Sequence, residues 1–90
     1  MKMPMRILVV EDNAANLELV TYLLRAAGHD VRLAENGVQG LEIARHADLD
    51  VVITDLQMPI MDGFKLLSEL RGDPLLFGIL VIAVTAFCKR

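Results

Sequence analysis

The stretch that decides the fold is VVITDLQMPIMDG, residues 51–63. It starts with four apolar or β-branched residues that do not alternate with polar ones, which is typical of a strand covered on both faces. Asp55 follows where that strand is expected to end, and Asp62-Gly63 then begins a helical pattern. The stretch therefore predicts a buried strand, a carboxylate at its end, a loop and a helix.

Three further apolar runs flank this stretch at residues 7–10, 31–34 and 80–84. The first and last are continuous, whereas Val31-Arg32-Leu33-Ala34 alternates and is expected nearer a sheet edge. Helical patterns separate the runs, and crossovers of this length join parallel strands. We therefore predict an α/β fold, a doubly wound parallel sheet with the flavodoxin-like strand order 2-1-3-4.

The three helices are predicted from apolar residues at helical spacing, starting after Asp12-Asn13, Asn36-Gly37 and Asp62-Gly63. The expected inward-facing residues are Leu17, Val20, Leu24 and Ala27, then Leu41, Ala44 and Ala47, then Leu66, Leu67 and Leu70. Gly28 is expected to end the first helix, and GVQG at 37–40 to pack a helix closely on the sheet. Phe64 and Phe77 are expected either in the core or in packing against a helix.

Composition excludes several classes of protein. Apolar residues make up 54% of the 90, which excludes disorder, and a net charge of −3 argues against nucleic-acid binding. The single cysteine, Cys88, cannot form an intramolecular disulfide. No signal peptide is visible, and the longest apolar run is about half a membrane span. We expect a cytoplasmic domain with neither nucleic acid nor membrane as a partner.

Polar residues stand at the predicted carboxyl ends of three strands. Glu11-Asp12 ends the first strand, Asp55 the third and Thr85-Ala86 the fourth. Such ends meet at one edge of a parallel sheet, so three carboxylates and a hydroxyl are expected around one hollow. Three neighbouring carboxylates repel one another unless one is protonated or a cation is bound, and oxygen ligands suit Mg²⁺ or Mn²⁺.

The same residues suggest phosphoryl chemistry, because a carboxylate can act as a nucleophile toward phosphorus. Asp55 is the candidate nucleophile, and the Thr85 hydroxyl and Ala86 amide are candidate donors to phosphoryl oxygens. A structural alternative stays open for Asp12, since acids after a strand often cap the next helix.

Four stretches match a known family: ILVVEDN at 7–13, ENG at 35–37, VVITDLQMPIMDG at 51–63 and LVIAVTA at 80–86. In these stretches the sequence resembles the receiver domain of bacterial two-component response regulators. The resemblance implies a Mg²⁺ site formed by Glu11, Asp12, Asp55 and the backbone carbonyl of Gln57. It implies that Asp55 is the phosphoacceptor. It also implies that Thr85 supplies the switch hydroxyl and that the Ala86 amide contacts the phosphoryl group. It also implies a phosphoryl-accepting module, not an enzyme, that takes its phosphoryl group from a histidine kinase or phosphotransfer protein and switches binding to a downstream protein.

The resemblance also implies a longer domain. The family continues for about 30 residues more, with a fourth helix, a fifth strand that carries a lysine, and a fifth helix. Residues 1–90 are thus expected to form a receiver domain that is incomplete at its carboxyl end. Leu80–Val84 then becomes an exposed apolar edge strand, which predicts a strand-mediated homodimer or domain swap.

Two alternative functions stay open. One is a phosphorylation-independent interaction or dimerisation module, which the absence of a fifth-strand lysine favours. The other is a phosphohydrolase of the haloacid-dehalogenase type, which needs a second aspartate where Gln57 stands, and Gln57 cannot transfer a proton. Dinucleotide and phosphate-loop sites are excluded, because EDNAAN at 11–16 has no glycine-rich turn.

Overall fold

A computed structural model describes residues 4–56 and 60–84. Strands and helices alternate along the chain as β1 (Arg6–Val10), α1 (Ala14–Ala26), β2 (Asp30–Ala34), α2 (Gly37–His46), β3 (Val51–Asp55), α3 (Gly63–Gly72) and β4 (Leu80–Val84). No helix in these residues is long and apolar enough to cross a membrane. Gln57, Thr85 and Ala86, three of the residues singled out above, lie outside the described residues.

The four strands form one parallel sheet in the order β2-β1-β3-β4, which confirms the predicted fold class and strand order. Val10, the last residue of β1, pairs with Thr54 of β3, and Asp55 pairs with Val84 of β4. The carboxyl ends of β1, β3 and β4 therefore meet at one end of the sheet.

Apolar clusters cover both faces of the sheet, which explains why β1 and β3 read as continuous apolar runs. One cluster joins Leu8, Val10 and Val52 of the sheet to α2 and α3, where Leu66 and Leu70 are fully buried. The other lies beneath α1. Its buried members are Ile7, Val9, Leu17, Val31 and Val51.

Gly40 lets α2 lie close to the sheet, as GVQG predicted. A Cβ atom at Gly40 would lie 2.9 Å from Cγ2 of Val10, closer than real Cβ contacts allow. The start of α2 is equally tight, because a Cβ atom at Gly37 would lie 2.5 Å from the backbone oxygen of Met61. The two glycines together fix α2 against β1 and against the segment that leads into α3.

Each helix begins at a side-chain cap that the sequence had suggested. Asn13, Asn36 and Asp62 accept hydrogen bonds from the backbone N–H groups of Asn16, Gln39 and Lys65 at 3.0, 2.9 and 2.8 Å. The cap of α1 is therefore Asn13, so Asp12 does not serve as that cap. Gly28 ends α1 as expected, with a positive φ of 95°.

Three predictions about burial were wrong. Ala27 was expected to face inward, but α1 ends at Ala26, Ala27 is its exposed C-cap, and Thr21 is buried instead. Phe64 and Phe77 are 64% and 61% exposed rather than in the core. Phe64 stands two residues before Leu66, and two steps of about 100° each turn it to the opposite side of α3.

Candidate functional site

Asp55 is the fixed centre of the candidate site. It is the last residue of β3, only 5% of it is exposed, and β1 and β4 pair on either side of its strand. The hydroxyl of the preceding Thr54 donates to the backbone carbonyl of Asp55 at 3.0 Å. A Cβ atom at Gly63 would lie 2.6 Å from that same carbonyl oxygen, so α3 begins directly against the end of β3.

Glu11 and Asp12 occupy the turn that follows β1. The backbone N–H of Glu11 donates to the carbonyl of Ala34 at 3.0 Å, which extends the pairing of β1 with β2. Its carboxylate accepts from the backbone N–H of Asn13 at 3.1 Å. Since Asn13 caps α1, the Asp12 carboxylate does not serve as that cap.

The structure brings these three acids together, as the sequence predicted. One carboxylate oxygen from each of Glu11, Asp12 and Asp55 lies within 4.8 Å of the other two. Asp55 is buried, Glu11 half-buried and Asp12 exposed, so the cluster opens to solvent on the Asp12 side. Like charges this close repel one another, and a divalent cation with a preference for oxygen ligands relieves that repulsion. The donor set therefore fits Mg²⁺ or Mn²⁺ and offers nothing for a metal that prefers sulfur or nitrogen.

A small apolar hollow of about 70 Å³ adjoins the carboxylates. Val20 of α1, Ile53 of β3 and Val84 of β4 contribute to its lining, beside Glu11 and Asp55. A larger groove of about 570 Å³ runs along α1, but its lining includes none of the three clustered acids. The smaller hollow is thus the one that belongs to the carboxylate site.

The comparison with known families decides what this site belongs to. The model of the response regulator receiver domain matches residues 7–89. The chain belongs to the response regulator receiver family. It is 36% identical over 88 residues to the polar-differentiation response regulator DivK of Brucella anthropi, an alignment that covers 98% of this chain and 72% of that protein. A DivK from Brucella ovis is 34% identical over 84 residues, covering 93% of this chain and 68% of that protein.

Solved receiver structures agree with this assignment. The N-terminal domain of a response regulator receiver protein from Methanoculleus marisnigri superposes with a TM-score of 0.89 at 29% identity, covering 97% of this chain and 71% of that one. The receiver domain of a sensor histidine kinase from Pseudomonas aeruginosa superposes with a TM-score of 0.87 at 30% identity, covering 96% and 70%. That second structure has a magnesium ion coordinated in its active-site cleft.

Family membership makes this chain a module of two-component signalling. Receiver domains bind Mg²⁺ at an acidic site, and this chain has an acidic cluster formed by Glu11, Asp12 and Asp55. Sequence reasoning found all three acids of the cluster but missed the supporting roles of Thr54 and Gly63. Two features of the sequence could have indicated these roles. Thr54 is the one polar residue in VVIT, and Gly63 follows the helix cap Asp62.

Proposed function

We propose that this receiver domain accepts a phosphoryl group on Asp55 from the phosphohistidine of a sensor histidine kinase or phosphotransfer protein. The observation that carries the proposal is the convergence of the Asp55 carboxylate with those of Glu11 and Asp12 within 4.8 Å. An Asp55 oxygen forms the new bond to phosphorus while the phosphorus–nitrogen bond of the phosphohistidine breaks, and the electron pair leaves with the imidazole nitrogen.

The fold prepares Asp55 for this role by restricting its movement. Burial and strand pairing hold its backbone, and Gly63 and the Thr54 hydroxyl pack against its carbonyl. A carboxylate held in one place loses little freedom when it reacts, so its position contributes directly to the rate. The exposed side of the cluster, at Asp12, leaves a direction from which a phosphohistidine approaches.

Glu11, Asp12 and Asp55, with the backbone carbonyl of Gln57, are the proposed ligands of Mg²⁺ or Mn²⁺. Bound there, the ion offsets the negative charge that accumulates when a phosphoryl group meets three carboxylates. A magnesium ion in the active-site cleft of the similar Pseudomonas aeruginosa receiver supports this assignment. Asp12 is proposed as a direct ligand and Glu11 as one that acts through water.

The Thr85 hydroxyl and the Ala86 amide are proposed to donate hydrogen bonds to the phosphoryl oxygens. The support comes from the last described residue before them: Val84 pairs with Asp55 in the register of β4 with β3. Movement of Thr85 toward the phosphoryl group is the proposed switch, and a downstream protein reads the changed surface.

The proposed setting is the cytoplasm. Its upstream partner is the phosphohistidine protein and its output is a protein–protein contact, with neither nucleic acid nor membrane as a partner. The chain acts as a phosphoacceptor that takes part in its own phosphorylation and dephosphorylation, rather than as an enzyme with a separate substrate. A second copy of the chain, bound through β4, is the remaining proposed partner.

Intact-mass spectrometry tests the proposal. The 90-residue chain, incubated with a small phosphodonor and Mg²⁺, is expected to gain the mass of one phosphoryl group. Asp55→Asn should abolish the gain, whereas Asp48→Asn, which changes an exposed acid at the other end of the sheet, should keep it. An adduct that survives Asp55→Asn contradicts the assignment. A folded chain that binds Mg²⁺ but gains no mass would instead support the phosphorylation-independent interaction module.

A further inference from the structure

The groove of about 570 Å³ along α1 opens at the β2 edge of the sheet, the edge opposite β4. Leu33 of β2 lines one side of it and is 42% exposed, and residues of α1 line the other side. Leu17 and Thr21, both buried, belong to the lining from α1. Within residues 4–56 and 60–84, no strand pairs with the outer edge of β2. The groove therefore places apolar surface directly beside an open strand edge.

The register of β2 shows which of its backbone groups face outward. The N–H of Asp30 donates to the carbonyl of Met5 at 3.0 Å, so Asp30 bonds toward β1. Successive residues of a strand direct their backbone groups to opposite edges, so Val31 and Leu33 direct theirs away from β1. The Arg25 guanidinium donates to the outward carbonyl of Val31 at 2.9 Å. Among the described residues, nothing bonds to the outward N–H and C=O of Leu33.

Opposite charges stand at the two ends of the groove. Because α1 follows β1 and precedes the parallel β2, it runs from the carboxyl end of the sheet to the amino end. Glu18 is exposed toward the carboxyl end, where the exposed Glu35 follows β2, and Arg25 reaches Val31 toward the amino end. The seven helical residues from Glu18 to Arg25 rise about 10 Å. Four residues of strand span about 13 Å, so alternate side chains of an added strand can reach both charges.

We propose that the outer edge of β2 binds an extended segment of a partner protein in antiparallel orientation, and that this segment has the pattern basic-x-apolar-x-acidic. Its apolar residue lies opposite Leu33 and enters the groove, because directly opposite side chains of an antiparallel pair share a face. The basic residue then lies toward Glu18 and Glu35, and the acidic residue toward Arg25. None of the three clustered acids lines the groove, so this contact is separate from the phosphoryl chemistry proposed for Asp55.

The contact made by Arg25 favours the antiparallel orientation. In an antiparallel ladder, one residue exchanges both its N–H and its C=O with the residue opposite, and Leu33 offers both groups. A parallel segment would instead bond to the carbonyl of Val31 and the N–H of Leu33, on either side of Arg32. The Arg25 guanidinium already donates to that carbonyl. Antiparallel addition leaves this hydrogen bond in place.

A second copy of β2 fits the same edge less well. Placed antiparallel with Leu33 opposite Leu33, it would bring its Glu35 toward Arg25. Its Val31, an apolar residue, would lie toward Glu18. The basic charge would then be missing at the end of the groove that carries two acids. The segment is therefore proposed to come from another protein, as in other cases where a peptide adds a strand to a sheet edge.

Peptide titration tests the pattern and the orientation. The capped peptides TKTLTET and TETLTKT have the same composition but exchanged charges. Titrated into the isotope-labelled 90-residue chain, TKTLTET should shift the Val31 and Leu33 amide resonances and slow their hydrogen exchange. At low salt TETLTKT should bind about two- to fivefold more weakly, the range given by exposed ion pairs. Stronger binding of TETLTKT would mean a parallel segment, and unshifted Val31 and Leu33 amides at millimolar peptide would mean that the edge binds nothing. Either result overturns the proposal.

A charge reversal on the chain tests the proposed contact of Glu18. Glu18→Lys should weaken binding of TKTLTET and strengthen binding of TETLTKT, and high salt should reduce both changes. Glu42→Lys is the matched control, because it makes the same change of charge at an exposed residue of α2. It should leave the preference between the two peptides unaltered. Equal effects of the two substitutions would mean that net charge, and not the groove, sets the preference.

A change in the peptide separates strand pairing from binding in the groove alone. N-methylation of the central leucine of TKTLTET removes the N–H that should donate to the carbonyl of Leu33, and it leaves the protein unaltered. Binding should be lost. A methylated peptide that binds as well as the parent peptide would occupy the groove without pairing with β2, which overturns the proposal. So would a peptide-free chain that self-associates with its Val31 and Leu33 amides already protected, because a second copy would then occupy the edge.

Discussion

The two ends of β1 and β3 both carry acidic residues, but the arrangement of charges differs between them. At the amino end, Arg6 donates to Asp50 through its backbone N–H at 2.8 Å and through its guanidinium at 3.2 Å, and it also pairs with Asp48. At the carboxyl end, the same two strands bring Glu11 and Asp12 within 4.8 Å of Asp55. One end joins opposite charges and the other gathers like charges.

This difference indicates which end of the sheet contributes to stability and which end carries the candidate site. Pairing acids with a guanidinium adds to the stability of the fold, whereas placing carboxylates side by side costs stability in the absence of a cation. An arrangement that costs stability is retained where it binds or reacts. The amino end is therefore expected to respond to mutation through stability, and the carboxyl end through metal binding and phosphorylation.

The largest expected effect is on metal affinity. Asp12→Asn should weaken Mg²⁺ binding at least about tenfold, since loss of a direct ligand costs no less than loss of a group that orients one. Asp48→Asn is the matched change at the other end and should leave the affinity unchanged. Isothermal titration with Mg²⁺ measures both. Equal affinity in the Asp12→Asn chain and the unaltered chain would remove Asp12 from the ligand set.

The second largest effect is expected on stability, where alanine at Gly63 and alanine at Gly72 of α3 should differ. A Cβ atom at Gly63 would meet the backbone of Asp55 at 2.6 Å and of Leu56 at 2.9 Å, and backbone atoms cannot easily move aside. Gly63→Ala should lower the free energy of unfolding by about 1–3 kcal/mol. Gly72, at the opposite end of α3, has nothing within 4 Å of such an atom. Gly72→Ala should be neutral or raise stability by up to about 1 kcal/mol. Urea unfolding measures both changes, provided that the slope of the unfolding free energy against urea concentration is the same in all chains. A Gly63→Ala chain as stable as the unaltered chain would contradict the close contact.

A smaller effect tests whether Asn13 only caps α1 while Asp12 only binds the metal. Asn13→Ala removes the side-chain cap of α1 and should lower stability by about 1 kcal/mol, while Asn13→Ser should keep most of it. The Glu11 carboxylate accepts from the backbone N–H of Asn13, which alanine retains, so Mg²⁺ affinity should not change. Loss of Mg²⁺ binding in Asn13→Ala would mean that the cap and the metal site are one unit.

Sequence reasoning anticipated the carboxyl end far better than the amino end. A topological rule places Glu11, Asp12 and Asp55 together, because the ends of parallel strands meet whatever the side chains do. The Arg6 contacts depend on the exact register of β1 on β3 and join residues more than forty positions apart. The exposure of Phe64 and Phe77 was missed for a similar reason, since aromatic character alone does not say which side of α3 or of its following turn faces the sheet.

The smallest expected effect lies at the amino end. Hydrogen bonds to Asp50, and then to Asp48, raise the pKa of Arg6 above its ordinary value, which is already far above neutral. The raised pKa means that the pairing is present below it and lost only in strong alkali, so its contribution is constant around neutral pH. Arg6→Gln should lower the melting temperature less than Gly63→Ala does, and by less still in high salt, because solvent and ions screen an exposed pair. Thermal unfolding at low and high ionic strength measures this. A loss as large as that of Gly63→Ala, unaffected by salt, would mean that Arg6 holds β1 to β3 by packing rather than by charge.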